Sequence, residues 1–432
     1  MESLPVVIGV VVLLFILLAA GLPVFAALGT CGALGLFLLQ GTVGLTSIGR
    51  SPFFSLYSFT LLALPLFVFM GELLNRSGIA AKIYVLATNW VGHLPGGLAM
   101  GSVLACAIFA AMCGSAVAGA ATIGLIAIPE MTKRGYNKSL STGTLAAAGP
   151  LAVLIPPSII MILYGTIAEV SVGSLFMAGF IPGAILATLM MTYLAIHCSL
   201  KPNLAPKSPP APWSARLSSL KALWAPVFLV IMVMGSIYAG IATPTEAAGM
   251  GVLGSLILSG LVYKTLNWQN FQEATLGTIK TTTFVFMIVA CAIIFAHFVT
   301  HAGLTLLIRD YVIGLGPSPY LVLIMLNALC IILGCFIDPL GIMYITLPLL
   351  LPTFSALGID LIWLGVIITI NMEIAQITPP VGFTLFVISG ITDVPIGTII
   401  RGVIPFIFIE MLMIAIVILL PQIALWLPST MF

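Results

Sequence analysis

Apolar segments long enough to cross a membrane alternate with short polar stretches along almost the whole sequence. A helix of about 20 apolar residues spans a bilayer, and the sequence holds six apolar segments before residue 201 and six after residue 221. Alternating strands of roughly ten residues are not seen, so the pattern predicts helices and not a β-barrel. The predicted fold class is therefore an all-α polytopic membrane protein. The segments lie near 4–20, 22–40, 53–74, 96–130, 140–170, 177–200, 225–240, 243–263, 275–300, 319–355, 361–392 and 399–420.

The composition leads to the same class. Of the 432 residues, 61% are hydrophobic and 6% are charged, whereas soluble domains have about 45–50% and about 25%. The first segment follows Met1 and Glu2 directly, without a basic region or a small-residue cleavage site, and predicts a retained helix rather than a signal peptide. We therefore expect most of the chain to lie in lipid or in protein buried within lipid.

Cysteine and histidine positions give no support for a catalytic metal. The seven cysteines form no CxxC pair, and the four histidines have no carboxylate or cysteine at metal-ligand spacing. Buried thiols, no cofactor and no nucleic-acid partner are expected. Gly-x-Ser-x-Gly and His-Glu-x-x-His motifs are absent, so the sequence does not indicate an enzyme. It also offers too few polar residues to line the continuous pore of a channel.

A polar, proline-rich and basic stretch divides the apolar segments into two equal sets. Residues 201–221 show no apolar period and predict a linker. Residues 1–200 would then form a first repeat and residues 222–432 a second. At a shift of 223 positions, Pro156-Pro157 falls on Pro379-Pro380. Backbone geometry is most constrained at proline, so this match indicates an internal repeat.

The positions of the basic residues predict how the repeats are oriented, because such residues collect on the cytoplasmic side. If the linker is cytoplasmic and the fourth and tenth segments are hairpins, 12 of the 14 Lys and Arg lie inside, all but Arg50 and Arg309. The basic loop 133–138 corresponds to loop 356–360, which has no basic residue. The two loops are therefore expected on opposite sides, as in an inverted-topology repeat, with both chain termini periplasmic.

Each repeat contains a hairpin and a helix that cannot run unbroken. Small residues fill 113–122 in the first hairpin, and the next span breaks at Pro156-Pro157. The corresponding hairpin tip is 334–339, and the corresponding break is 376–382. A Pro-Pro pair frees carbonyl groups, which in a bilayer must line a site or be covered by protein. Two short mixed segments, 79–90 and 304–315, are predicted to be interfacial arms that hold the moving part.

The breaks suit two kinds of ligand. Unwound carbonyls with Ser and Thr hydroxyls suit Na⁺, a hard cation that prefers oxygen ligands. The N-termini of half-helices carry partial positive charge and suit a carboxylate. Paired breaks at equivalent places in inverted repeats predict a transport site near the middle of the membrane.

Acidic residues within apolar runs are further candidates, because a charge inside a membrane is costly to keep. Asp338 is predicted to take part in ion coupling or in hairpin stability. Glu246 and Glu373 are similar candidates with weaker local support. Glu72 and Glu169 are expected near interfaces, where a snorkelling or capping carboxylate is an equally good interpretation.

The motifs at these positions resemble a known family. In the first half they are Gly119-Ala120-Ala121-Thr122-Ile123-Gly124, the Lys133-Arg134-Gly135-Tyr136 loop and Ile155-Pro156-Pro157-Ser158. In the second half they are Phe336-Ile337-Asp338-Pro339, Leu357-Gly358-Ile359-Asp360 and residues 377–387. Over essentially the full length the chain resembles the large membrane subunit, the M or DctM-like component, of tripartite ATP-independent periplasmic (TRAP) transporters.

The resemblance implies a mechanism and partners. It implies an elevator-type secondary carrier of an organic acid, driven by Na⁺ in the bacterial inner membrane. A periplasmic binding protein would deliver the substrate, and a small four-helix membrane subunit would assist. That subunit is expected to be a separate chain, because the sequence begins at the first helix of the large subunit.

The resemblance also implies site residues. The substrate is expected at Thr122, Ser158 and Gly382. Ala116 and Gly119 stand where the family often has Ser or Asp, which favours backbone ligation in the first sodium site. The first sodium site would use Gly114, Ser115, Gly149 and Pro156, and the second Gly334, Asp338, Thr378 and Pro379.

A second interpretation within transport is a stand-alone Na⁺-coupled dicarboxylate or citrate carrier that needs no binding protein. The sequence does not identify the organic acid, since selectivity in such systems rests largely with the binding protein.

Overall fold

The computed structural model describes residues 4–316 and 318–431, and these residues fold into helices joined by short connections. This confirms the predicted all-α class. The helices of the first half are α1 Leu4–Ala19, α2 Val24–Gln40, α3 Thr42–Leu56, α4 Ala63–Asn75, α5 Ile79–Val91, α6 Gly97–Cys113, α7 Ala116–Lys133, α8 Lys138–Ala148, α9 Leu151–Leu154, α10 Ile159–Ala168 and α11 Val172–Leu200. Those that follow are α12 Trp213–Ser219, α13 Trp224–Val230, α14 Ser236–Tyr238, α15 Pro244–Ile257, α16 Trp268–His301, α17 Leu304–Gly314, α18 Pro319–Gly334, α19 Pro339–Ala356, α20 Leu361–Ile377, α21 Phe383–Gly390, α22 Ile396–Leu419 and α23 Gln422–Ser429.

Six helices in the described ranges are long and apolar enough to cross a membrane, or up to eight if each of two bent helix pairs counts as one span. Shorter apolar helices, among them the first helix of each hairpin, accompany them. The side of the membrane that each loop faces stays a prediction. The long helices are Val172–Leu200, Trp213–Tyr238, Pro244–Val262, Trp268–His301, Pro339–Ala356 and Ile396–Leu419.

The order of the main elements in the first half returns in the second, but a helix that is broken in one half can be continuous in the other. Helices α3 and α4 correspond to the single unbroken helix α16. The first pair bends sharply between Leu56 and Ala63. The prediction of a single apolar segment at 53–74 was therefore wrong, because that range includes the end of one helix and most of the next. Pro65 lies in the first turn of α4, where its missing N–H costs nothing. Helix α16 contains no proline and runs straight through.

Both predicted hairpins are present, and a side chain caps the second helix of each. In the first hairpin, Ser115 accepts a hydrogen bond from the Ala118 N–H at 3.4 Å. In the second, Asp338 accepts from the N–H groups of Leu340 and Gly341 at 3.0 and 3.2 Å. N-capping of this kind satisfies donors that have no partner within the helix.

Both predicted helix breaks are also present. The first separates α9 from α10 at residues 155–158, and the second separates α20 from α21 at residues 378–382. The Pro156-Pro157 and Pro379-Pro380 bonds are both cis. The corresponding prolines thus take the same backbone form in the two halves.

Glycines bring helices of the two halves into backbone contact. A Cβ on Gly402 of α22 would lie 1.9 Å from the Ser139 carbonyl oxygen, and one on Gly143 of α8 would lie 2.3 Å from the Gly402 backbone. In a second contact, a Cβ on Gly32 of α2 would lie 2.6 Å from the Phe295 nitrogen of α16. Small residues allow this close packing between membrane helices, so the two halves interlock.

The predicted arms form helices α5 and α17. Each begins after a glycine in the left-handed conformation, Gly78 at φ 74° and Gly303 at φ 73°. The predicted linker, residues 201–221, includes the short helix α12, which packs against α5. Within it the Leu204 carbonyl accepts a hydrogen bond from the Asn137 N–H at 2.9 Å, so the segment is anchored to the loop that follows α7.

Candidate functional site

Both hairpin tips and both helix breaks meet at one cavity of about 160 Å³. Helix α16 closes one side of it. The cavity therefore joins elements that are separated by more than 200 positions in the sequence but correspond to one another in the two halves. Its lining residues are Gly114, Ser115, Ala116, Val117, Val153, Ile159, Ile160, Phe284, Val285, Asp338, Pro339, Leu340, Gln376 and Phe383.

Four helices start at this cavity. Ala116, Ile159, Pro339 and Phe383 are the first residues of α7, α10, α19 and α21, and all four line the cavity. The first N–H groups of a helix have no partner within it, and its N-terminus carries roughly half a positive charge. Four such ends directed at one space favour an anion.

Three polar side chains face the cavity. Asp338 receives both of its backbone hydrogen bonds on Oδ2, and among the described residues no hydrogen bond reaches Oδ1. Gln376 is buried and donates from Nε2 to the Met372 carbonyl at 3.3 Å, which leaves its Oε1 as an acceptor. Ser115 adds a hydroxyl. The other lining side chains are apolar, so the cavity combines a few polar groups with an apolar wall.

In the first half, the hairpin tip rests directly on the helix break. Gly114 has φ 60°, and a Cβ on it would lie 2.6 Å from the Pro157 carbonyl oxygen. A Cβ on Gly149 would lie 2.9 Å from the Ala116 carbonyl oxygen. Only glycine fits at such distances. The structure thus brings Gly114, Ser115 and Gly149 together with the break that contains Pro156.

In the second half, the hairpin packs on the helix before the break. A Cβ on Gly334 would lie 2.9 Å from Cβ of Ala375 in α20. The Thr378 hydroxyl donates to the Ile374 carbonyl at 2.6 Å, and the Thr378 carbonyl accepts from the Gly382 N–H at 3.0 Å. The lone pairs of the Thr378 hydroxyl oxygen stay available at the break, one residue before Pro379.

Two side chains predicted to bind substrate have other partners. Ser158 is buried and caps α10, accepting from the Met161 N–H at 3.3 Å. Thr122 hydrogen-bonds the Asn75 side chain at the end of α4. Neither residue lines the cavity, and Gly382 lies beside it as the N-cap of α21.

Two predicted carboxylates also lie away from the cavity. Glu246 is exposed, and it accepts from the Thr243 N–H at 2.8 Å and completes a capping box at the start of α15. A helix cap accounts for this carboxylate, and its part in ion coupling stays a prediction. Glu373 is fully buried in α20 but is not part of the cavity wall. Glu72 pairs with Arg76 one turn away.

The residues that the structure describes contain no group of three His, Cys, Asp or Glu that could hold a metal ion. Sequence reasoning missed Gln376, Phe284 and Val285 as lining residues. Gln376 had a signal, because the predicted second break begins at this residue. Phe284 and Val285 belong to a long apolar helix and had none.

The fold and the cavity define a multi-pass membrane transporter. Comparison with known proteins gives its family: the model of the tripartite ATP-independent periplasmic transporter DctM component matches residues 11–423. The chain belongs to this family. It is therefore a TRAP transporter large permease subunit, not an enzyme, and a protein of the bacterial inner membrane.

Relatives match over nearly their full length. The C4-dicarboxylate TRAP transporter large permease protein DctM of Pseudomonas aeruginosa is 38% identical over 93% of this chain and 94% of its own. The sialic acid TRAP transporter large permease protein SiaM of Vibrio cholerae is 34% identical over 96% of each chain. The 2,3-diketo-L-gulonate TRAP transporter large permease protein YiaN of Escherichia coli is 34% identical over 94% of this chain and 95% of its own.

Among solved structures, the YdaH transporter of Alcanivorax borkumensis has a similar fold. The TM-score is 0.62 at 14% sequence identity, covering 88% of this chain and 89% of that one. At this identity the likeness concerns the fold alone.

Proposed function

We propose that this subunit carries out Na⁺-coupled uptake of a small organic acid, which binds as its carboxylate in the cavity between the two hairpin tips. The observation that carries the proposal is the meeting of four helix N-termini at this cavity. Three relatives are named for C4-dicarboxylates, sialic acid and 2,3-diketo-L-gulonate, and all three are organic acids. This agrees with an anionic substrate.

Sodium has a specific part in the proposal. Asp338 would contribute Oδ1 and Thr378 its hydroxyl oxygen, together with carbonyl groups at Gly334 and Pro379. A second ion would be held by Ser115 and by backbone carbonyls near Gly114, Gly149 and Pro156. The cation charge would offset the repulsion between Asp338 and the substrate carboxylate, so that substrate and ion bind better together than separately.

The partners and the movement complete the proposal. A periplasmic binding protein delivers the organic acid, and a small four-helix membrane subunit works beside the large one. The hairpins and broken helices move together as an elevator domain against a scaffold that includes α2, α4 and α16. The hydrogen bond between Thr122 of the hairpin and Asn75 of α4 is one of the contacts that such a movement must break.

Uptake into proteoliposomes tests the proposal. The chain is reconstituted with the small subunit, and the binding protein is added outside with a labelled organic acid that it binds in a thermal-shift screen. We expect uptake only with an inward Na⁺ gradient and only with the binding protein. Equal uptake with K⁺ in place of Na⁺ would contradict the coupling, and uptake by the chain alone would indicate a stand-alone carrier.

A further inference from the structure

Two fully buried glutamate side chains lie outside the cavity. Glu373 belongs to α20 and Glu410 to α22, and the two helices pack against each other. Both residues have 0% exposure. The Trp363 indole N–H of α20 donates to the Val417 carbonyl of α22 at 2.9 Å, which joins the two helices. The proposed transport cycle uses neither residue.

The carboxyl oxygens of this pair have no protein partner. All four are buried, and none has a hydrogen bond to any residue in the described part of the chain. A buried carboxylate without a hydrogen bond or a cation is very costly, and two adjacent ones would also repel each other. A ligand that removes charge and supplies a hydrogen-bond donor would solve both problems.

The helices packed against α20 and α22 supply no counter-charge to the pair. Arg401 of α22 and Lys138 of α8 are exposed, and His197 of α11 stacks on Tyr193. Of the carboxylates nearby in sequence, Asp360 is exposed and caps the start of α20. The other titratable side chains on the neighbouring helices are phenols and thiols, namely Tyr164, Tyr193, Cys198, Tyr320, Cys330 and Tyr344.

We propose that Glu373 and Glu410 form a proton-binding site, in which one carboxylic acid donates a hydrogen bond to the neighbouring carboxylate. One proton reduces the charge of the pair from two to one and gives each group a partner. A metal ion fits less well, because it needs further ligands, and the described residues bring no third acidic, His or Cys side chain within ligand reach.

The site lies one helical turn from the cavity, since Gln376 follows Glu373 by three residues on α20. Loss of the proton would place two like charges between α20 and α22. The packing of these helices therefore depends on the protonation of the pair. This inference does not rest on sodium coupling, and its test involves no transport.

Infrared absorption tests the proposal directly, because the carbonyl stretch of a protonated carboxylic acid is separate from the bands of a carboxylate. The full chain is measured in lipid nanodiscs at neutral pH, in H₂O and in D₂O, with and without Na⁺. We expect a protonated-carboxyl band in the wild type that disappears in E373Q/E410Q and persists in the control D393N, which changes an exposed carboxylate. The proposal would be overturned if E373Q/E410Q kept every protonated-carboxyl band of the wild type. A wild-type band seen only without Na⁺ would overturn it as well.

Thermal unfolding gives a second readout. A carboxyl that keeps its proton in the folded protein but ionises in the unfolded chain lowers the folding equilibrium about tenfold per pH unit. The wild-type midpoint should therefore fall between pH 6 and 8 more steeply than that of E373Q/E410Q. Parallel pH profiles would contradict a retained proton. If the double variant does not fold, E410Q alone serves as the test. Its infrared spectrum should then show the carboxyl band of Glu373 at a shifted position, because the hydrogen-bond partner of Glu373 has changed.

Discussion

Replacing Asp338 separates the structural part of this residue from its proposed part in ion binding. The carboxylate caps α19 through two backbone hydrogen bonds, both to Oδ2. Asn caps a helix about as well as Asp, whereas Ala costs about 0.5–2 kcal/mol. D338N should therefore keep the fold, and D338A should lower the thermal midpoint slightly. Both remove the charge that would face a sodium ion.

The effect on Na⁺ binding can be bounded. Two unit charges about 4 Å apart interact by about 4 kcal/mol at an effective dielectric constant of about 20. Desolvation of both groups offsets part of this. We expect a loss of at least about 1.4 kcal/mol, which is a tenfold rise in the Na⁺ concentration for half-maximal uptake.

The assay is labelled uptake into proteoliposomes as a function of Na⁺ concentration, with the small subunit and the binding protein present. The matched control is D360N, because Asp360 caps α20 in the same way, through the N–H groups of Ile362 and Trp363, but is exposed at the far end of that helix. It should leave the Na⁺ dependence unchanged. An unchanged Na⁺ dependence in a folded D338N would refute the reasoning.

Three further substitutions test the site and the fold. G114A should abolish uptake, because Gly114 has φ 60° and a Cβ there would lie 2.6 Å from a carbonyl oxygen. The control G119A should transport normally in the same assay, because the nearest atom to its Cβ would be 3.7 Å away. T378A should raise the Na⁺ requirement by up to about tenfold through loss of one hydroxyl ligand, and T378S should restore it; equal curves would exclude the hydroxyl. G402A should lower the thermal midpoint, because its Cβ would push α22 from α8 at a cost of about 1–3 kcal/mol. The control G397A has nothing within 4 Å of its Cβ and should leave the midpoint unchanged. Equal midpoints for the two variants would contradict the backbone contact.

The positions that interrupt helices were predictable from the sequence. Pro156-Pro157 and Pro379-Pro380 removed backbone donors in otherwise apolar runs, so their location gave both breaks and, through their spacing, the repeat. Gly114 and Asp338 followed from the same logic at the hairpin tips. Local backbone chemistry determines these features, so a single sequence is enough to predict them.

Other features depend on three-dimensional packing or on a local motif that admits two interpretations. An acidic residue beside an apolar run makes Glu246 a candidate for ion coupling, whereas Thr243 three residues earlier predicts a capping box, which the structure shows. Sequence reasoning missed Glu410, although a glutamate in an apolar run carries the same signal as Asp338. No local pattern showed that Phe284 would close the cavity, because that depends on how α16 packs.

The central claim is that the organic acid and Na⁺ bind together in the cavity between the hairpin tips. An experimental structure of the chain in nanodiscs with the small subunit, Na⁺ and excess substrate tests it most directly. We predict substrate density among Ser115, Asp338 and Gln376, with the carboxylate directed at the N-termini of the surrounding helices. Substrate density at another place in the protein, with none in this cavity, would contradict the account.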